Sequence, residues 1–205
     1  MNKEMNANEK DTRRLILASA SPRRHEILTA AGIPHEIRTS DADETLPDGI
    51  SPADAVQLLS ARKARAVCAT AAPDEIVLAA DTVVCHRGVI LGKPGSEGEA
   101  REMLLALSGD THQVFTGITL CDGTKTVTQY ECSHVHMREI SGEEIDAYIR
   151  TGEPMDKAGA YGIQGRAGLF VRAIEGDYFN IVGLPLCRVG TVLREHFAFC
   201  SSVKL

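Results

Sequence analysis

Asp81 stands at the end of the wholly apolar run Ile76 to Ala80, with Val83 and Val84 just beyond it. A carboxylate in such surroundings is costly to bury unless it meets a metal, a cation or a hydrogen-bond donor. Ligands of open α/β sheets collect at the carboxyl ends of strands, and the run predicts a strand that ends at Asp81-Thr82. Both features place Asp81 in an active site; a helix cap or an edge ion pair is the structural alternative. A second candidate is Ser19-Ala20-Ser21-Pro22-Arg23-Arg24, where a short apolar run turns into a helix. Free N–H groups at a helix N-terminus attract anions. Two arginines in the first helical turn oppose the helix dipole, a cost that a bound anion reverses, and the guanidinium fork matches phosphate oxygens. Pairing with acids such as Glu26 is the other outcome for these arginines.

Weaker signals surround these two. Asp41, Asp43 and Glu44 crowd one loop, and one or two carboxylates plus substrate phosphates are what a magnesium ion commonly uses. Lys63, on a helix, and Lys93, between Gly92 and Pro94, are candidate phosphate ligands, although a lone lysine is ordinarily a solvated side chain. His134 and His136 share one face of a strand at a spacing that suits a metal, yet Glu131 and Arg138 continue a polar pattern that a solvent-facing stripe explains better. In Asp156 to Gly165, DKAGAYGIQG, the glycines permit close backbone approach and Gln164 offers a donor and an acceptor together, so the loop can read a base edge.

Strands and helices in alternation must position these groups. Arg14 to Ala20 reads as a buried strand, and Ser21-Pro22 opens a helix that stops at Gly32. A strand follows over Pro34 to Thr39, a helix over Pro52 to Ala69, and a hairpin turns at Arg87-Gly88. Met103, Leu104 and Leu107 mark an amphipathic helix, and Asp122-Gly123-Thr124 turns a second hairpin within Thr111 to Arg138. Ser141 and Glu144 form a capping box at the start of a helix to Thr151; a strand over Leu169 to Ile174 and a helix over Leu184 to His196 complete the chain. The expected fold is α/β, a mixed twisted sheet with flanking helices and two lobes around a central cleft.

The 205 residues, 43% of them apolar, suffice for one large core or two small lobes. The expected organisation is a flexible tail over 1–13, one domain over 14–197 and a second tail over 198–205. With 22 Lys and Arg against 28 Asp and Glu, the net charge of −6 argues against nucleic acid or an anionic membrane as the main partner. It leaves room for a basic pocket holding a small anion. Six scattered cysteines without a C-x-x-C pair suit reduced thiols in the cytosol. The start of the chain carries no apolar segment, and no stretch is long and apolar enough to span a bilayer. A cytoplasmic location is therefore expected.

In order along the chain, LILASASPRRHEIL, AADTVV, ILGKP, LSGDTHQVFTG, GEPMDKAGAYGIQG and IEGDYFNIVGLPL resemble the Maf family, the septum-formation or nucleoside triphosphate pyrophosphatase proteins, over about Leu15 to Leu193. The resemblance implies a hydrolase that cleaves between the α and β phosphates with a divalent cation, Mg2+ or Mn2+, in a two-lobed fold related to the inosine triphosphate pyrophosphatases. By matching motif it implies Asp81 as proton acceptor, with Glu44 and Asp81 at the metal. It likewise implies Arg23, Thr82 and Gln164 as substrate-specificity positions and Ser19, Arg24, Lys63 and Lys93 as phosphate-binding ones. DKAGAYGIQG resembles the branch acting on dTTP and UTP rather than the one acting on 7-methyl-GTP. The segment His134 to Met137 departs from the threonine-rich strand of the family. The expected partner is a nucleoside triphosphate, and a homodimer is expected on general grounds. A nucleotide-binding regulator of septum formation without turnover, and a pyrophosphatase preferring 7-methyl-GTP or another modified base, are the alternatives.

Overall fold

The structure, a computed structural model, describes residues 13–199. One mixed sheet of seven strands runs through it in the order β2-β1-β3-β5-β6-β7, with β4 joined to β3. β1 (Arg14–Leu17) pairs in parallel with β2 (His35–Ile37) and with the first third of β3 (Glu75–His86). β4 (Val89–Leu91), β5 (Thr111–Cys121), β6 (Thr126–Met137) and β7 (Val171–Glu175) pair antiparallel with their neighbours. Parallel neighbours need crossovers, and α1 (Pro22–Ala30) and α2 (Pro52–Cys68) supply them. The antiparallel strands need only turns. Arg87 and Gly88 both take positive φ, 49° and 82°, as a two-residue hairpin requires. At the second hairpin Asp122 Oδ1 accepts from the amides of Thr124 and Lys125 at 3.1 and 2.9 Å.

Strand alternation sorts the core onto the two faces of the sheet. Val77 and Ala79, together with Ile16 and Ala18, pack against Ala64 and Val67 of α2. Ile76, Leu78 and Ala80 face the other way, where Leu28 of α1 and Val189, Val192 and Phe197 of α6 (Leu186–Phe197) cover them. β3, β5 and β6 extend past this first core. On their far ends Val84, Val114, Val135 and Met137 carry a second core built with α3 (Glu97–Leu107), α4 (Gly142–Ile149) and the turns around Ala160 and Phe170. Two cores on one sheet make the two expected lobes. The capping box at α4 is present, with Ser141 Oγ accepting from the Glu144 amide at 3.2 Å and Glu144 from the Ser141 amide at 3.0 Å.

Three expectations need correction. The strand through Ile76 does not end at Asp81-Thr82: β3 continues to His86, because Val83, Val84 and Cys85 pair with β5 and the last residues also pair with β4. Leu169 and Phe170 belong to a 3-10 turn over Arg166–Phe170, and β7 begins only at Val171. The expected last helix is preceded by a separate short one, α5 (Tyr178–Val182), capped by Asp177 through the Phe179 amide at 2.8 Å. Residues 1–12 and 200–205 of the expected tails lie outside the described residues, Cys200 among them. The three tail residues that are described include Phe199, which is buried in the first core, and Arg13, whose guanidinium bonds Asp122 at 3.1 Å.

Candidate active site

β1 leaves β3 at the Leu17–Leu78 pair, and β4 joins it only at the Leu91–Val84 pair. Along Ala79 to Val83 no strand among the described residues pairs with that edge. A cleft of ≈ 670 Å³ opens there, walled by the Ser19–Arg24 turn on one lobe and by Leu91–Lys93 and Asp156–Gly165 on the other. Asp81 and Thr82 form its floor, mid-strand, and as consecutive strand residues they face opposite sides of the sheet. A break in pairing, rather than a strand terminus, gives these two side chains their access.

Asp81 meets α2. Its Oδ1 accepts from Lys63 Nζ at 2.5 Å, and the same ammonium lies 2.7 Å from Glu44 Oε1. Lys63 reaches the sheet because α2 lies close upon it: a Cβ on Gly117, the β5 partner of Asp81, would sit 2.3 Å from the carbonyl oxygen of Val56. Only glycine allows that approach, and Lys63 follows Val56 by two helical turns on the same face. The Glu44 carboxyl is held below its ordinary pKa, first by the hydrogen bond from Lys63 and then by the charges of Lys63, Lys93 and Arg24, against an opposing effect of burial. Of the acidic cluster only Glu44 lines the cleft. Asp43 instead fastens its own loop, accepting from the Thr45 amide at 2.9 Å, while Arg62 of α2 binds the Thr45 carbonyl at 2.6 Å. Asp41 is not in the wall.

Arg24 lies on the other side of the gap. Its Nε donates to the Gly183 carbonyl at 2.8 Å, Nη1 to Ser19 Oγ at 3.0 Å and Nη2 to Thr82 Oγ1 at 3.2 Å. These acceptors are neutral, and burial pushes the guanidinium pKa down while the Asp81 charge pushes it up. A half-buried cation without a carboxylate of its own favours an anion in the cleft. Ser19 Oγ accepts from both Arg24 and the Ser21 amide, the latter at 3.2 Å, so its one O–H is left to donate. Ser21 caps α1 without a side-chain bond. Neither arginine pairs with Glu26 among the described ion pairs; Arg23 Nη1 lies 3.5 Å from Asp156 Oδ2 across the cleft.

The opposite wall gathers residues of the glycine-rich loop. The Gly159 amide donates to the Gly92 carbonyl at 3.0 Å, which ties this loop to the one carrying Lys93. Gln164 is exposed on the wall, and Lys93 lines the same cleft. Two charged residues of this loop to which sequence reasoning gave no role of their own also line the cleft: Asp156, and Lys157, whose Nζ donates to Asp156 Oδ1 at 2.6 Å and to the Glu153 carbonyl at 2.7 Å. Their adjacency to the glycines was the available signal. Tyr161 anchors the loop to β5 through a 2.7 Å bond between its hydroxyl and His112 Nε2. Burial lowers the His112 pKa to about 4, so the ring is neutral near pH 7. His134 and His136 are remote from the cleft wall. His136 bonds Glu175 at 3.0 Å and Thr111 at 2.8 Å, and His134 faces Gln113 at 3.3 Å.

All nine residues implied by the motifs thus line one cleft: Ser19, Arg23, Arg24, Glu44, Lys63, Asp81, Thr82, Lys93 and Gln164. Its wall carries five Lys and Arg against three Asp and Glu, the reverse of the balance of the whole chain. Low-dielectric walls of one net sign concentrate ions of the other, so the cleft suits a polyanion with an apolar or aromatic end.

A family profile described as "Maf-like protein" matches residues 14–196. The chain belongs to the Maf-like proteins. Among its relatives, a dTTP/UTP pyrophosphatase of Bacillus cereus is 51% identical over 183 residues, 89% of this chain and 95% of that protein. The dTTP/UTP pyrophosphatase of Bacillus thuringiensis subsp. konkukian is 50% identical over the same shares. A solved structure, that of the Staphylococcus aureus Ham1 protein, superposes with a TM-score of 0.42 at 16% identity over 77% of this chain and 91% of that one. The Maf-like chain has no helix among the described residues long and apolar enough to cross a membrane.

Proposed function

We propose that this Maf-like protein hydrolyses dTTP and UTP to the nucleoside monophosphate and pyrophosphate. The names of relatives at 50% and 51% identity support the substrates. The observation that carries the reaction type is Asp81, a carboxylate on the floor of a cleft with more cations than anions, bonded to Lys63 and acting through its charge on Arg24. Lys63 takes Oδ1 of Asp81, and a carboxylate has acceptor capacity on both oxygens, so the group can still orient a water and accept its proton. That water attacks the α-phosphorus in line, and the bond to the bridging oxygen breaks to release pyrophosphate. Arg24, Ser19, Lys63 and Lys93 hold the phosphates and stabilise charge on the leaving group, the electrostatic effect that is usually largest at such sites. Arg23, Thr82 and Gln164 surround the sugar and base.

A divalent cation fits the residues present. Glu44 and Asp81 converge on one ammonium at 2.7 and 2.5 Å, so a positive charge already sits between two hard oxygen donors. Among the described residues no group of three or more His, Cys, Asp or Glu gathers to cage a metal. Two carboxylates completed by phosphate oxygens and water is the donor set that Mg2+ or Mn2+ accepts. Such an ion would neutralise the triphosphate and acidify a bound water. Asp81 and Glu44 would hold it, with Lys63 turning toward the phosphates.

The test is pyrophosphate release from a panel of common and modified triphosphates, with Mg2+ or Mn2+ and with a chelator. The expected result is turnover of dTTP and UTP above the purine triphosphates and above 7-methyl-GTP, abolished by chelation. Tight binding without release across the panel would favour a nucleotide-binding regulator instead.

A further inference from the structure

Thr116 lies on β5 opposite Thr82, is fully buried and takes no part in the cleft wall. Its hydroxyl is nonetheless one bond from the site. Thr116 Oγ1 donates to the Asn180 carbonyl at 2.9 Å, and a carbonyl can only accept. That consumes the single Thr116 proton, so in the 2.9 Å contact between the two threonines Thr82 must donate and Thr116 accept. Thr82, its own proton directed into the protein, then meets Arg24 Nη2 as an acceptor at 3.2 Å. The chain has one direction throughout: Arg24 to Thr82 to Thr116 to the Asn180 carbonyl.

We infer that Thr116 is a positioning residue of the phosphate site, acting through Thr82 to aim the Arg24 guanidinium. Without the Thr116 acceptor the Thr82 hydroxyl can rotate, and the proton that now points inward can turn toward Arg24, where it repels a donor. The far end of the chain is fixed. Asn180 Nδ2 donates to the Val114 carbonyl at 3.0 Å and to Ser133 Oγ at 2.9 Å, which locks α5 to β5 and β6. Just after α5, the Gly183 carbonyl receives Arg24 Nε. Two arms of the guanidinium are therefore set by one buried assembly. The polarity also limits what Thr82 offers a substrate: with its proton committed it presents only a lone pair, which suits an N–H or O–H of the nucleoside and not a phosphate oxygen.

The inference rests on the hydrolytic reading only for its kinetic readout. Thr116→Val, similar in shape but lacking the hydroxyl, is expected to lower kcat/KM about 10- to 100-fold, with Thr116→Ser recovering most of the loss. The deciding comparison is the same change in an Arg24→Ala background, where a residue acting only through Arg24 costs less than about twofold further. Calorimetric affinity for inorganic pyrophosphate, in the same four proteins, should follow the same non-additive pattern. This arm judges the relay even if the wild type turns over no triphosphate, a result that would sink the hydrolytic reading alone. Thr116→Cys, which keeps the volume and only a weak donor, replaces the valine variant if that one does not fold. A Thr116→Val loss that persists in full without Arg24, or wild-type kinetics and affinity in Thr116→Val, overturns the inference.

Discussion

Asp81→Asn keeps the shape and the oxygen that faces Lys63 while removing the capacity to take a proton. Turnover is expected to fall by at least about 10²-fold with little change in melting temperature. A variant with near wild-type kcat, measured by pyrophosphate release, would remove Asp81 from the role of base. Lys63→Met makes a different prediction. Without the ammonium, Asp81 and Glu44 face each other with no cation at 2.5 and 2.7 Å. Lys63 is the main cause that holds the Glu44 carboxyl below its ordinary pKa, so without it the acid limb of the kcat/KM profile moves to higher pH and activity falls on the order of 10²-fold. An unshifted acid limb would show that Lys63 does not set the ionisation of Glu44.

At the scale of elements, the closeness of α2 to the sheet decides whether Lys63 reaches Asp81. Gly117→Ala places a methyl against backbone that cannot yield as a flexible side chain would, 2.3 Å from the Val56 carbonyl oxygen. Forced overpacking of this kind costs about 1–3 kcal/mol, or roughly 2–10 °C of melting temperature in a chain of this size. Because α2 must move outward, kcat/KM should fall together with Tm. A stable but inactive variant and a destabilised but active one would each separate the two effects. The glycine stood in the sequence between Thr116 and Ile118 with no local sign of its use. Its helix partner, Val56, lies far earlier in the chain, and close packing across that separation is invisible to periodicity.

For the whole molecule, the buried His112 couples stability to pH. Its folded pKa of about 4 lies below the ordinary value of 6.5, so between those pH values the unfolded chain binds more protons than the folded one. Stability therefore rises with pH through that window and is lost as pH falls from 6.5 toward 4, by as much as about 3 kcal/mol from this residue. Thermal melts of His112→Gln against wild type, from pH 7 to pH 4, should show a flatter slope in the variant; parallel slopes would mean the histidine is solvated. By itself the sequence determined most of the elements and nine residues of the cleft wall. Apolar runs, caps and turn residues act locally, so β1, α1, α2, both hairpins and the α4 capping box were legible, as was the anion-binding turn at Ser19 to Arg24. Asp81 drew notice because a carboxylate among valines and alanines is costly wherever it lies. Only the tertiary structure decided how it becomes accessible, since strand pairing is a long-range property. β3 does not stop at Asp81; its neighbours part there, β1 departing after Leu78 and β4 arriving at Val84. The same long-range contacts brought Thr116 and Asn180 behind Thr82, and Asp156 opposite Arg23, pairings that no spacing along the chain encodes.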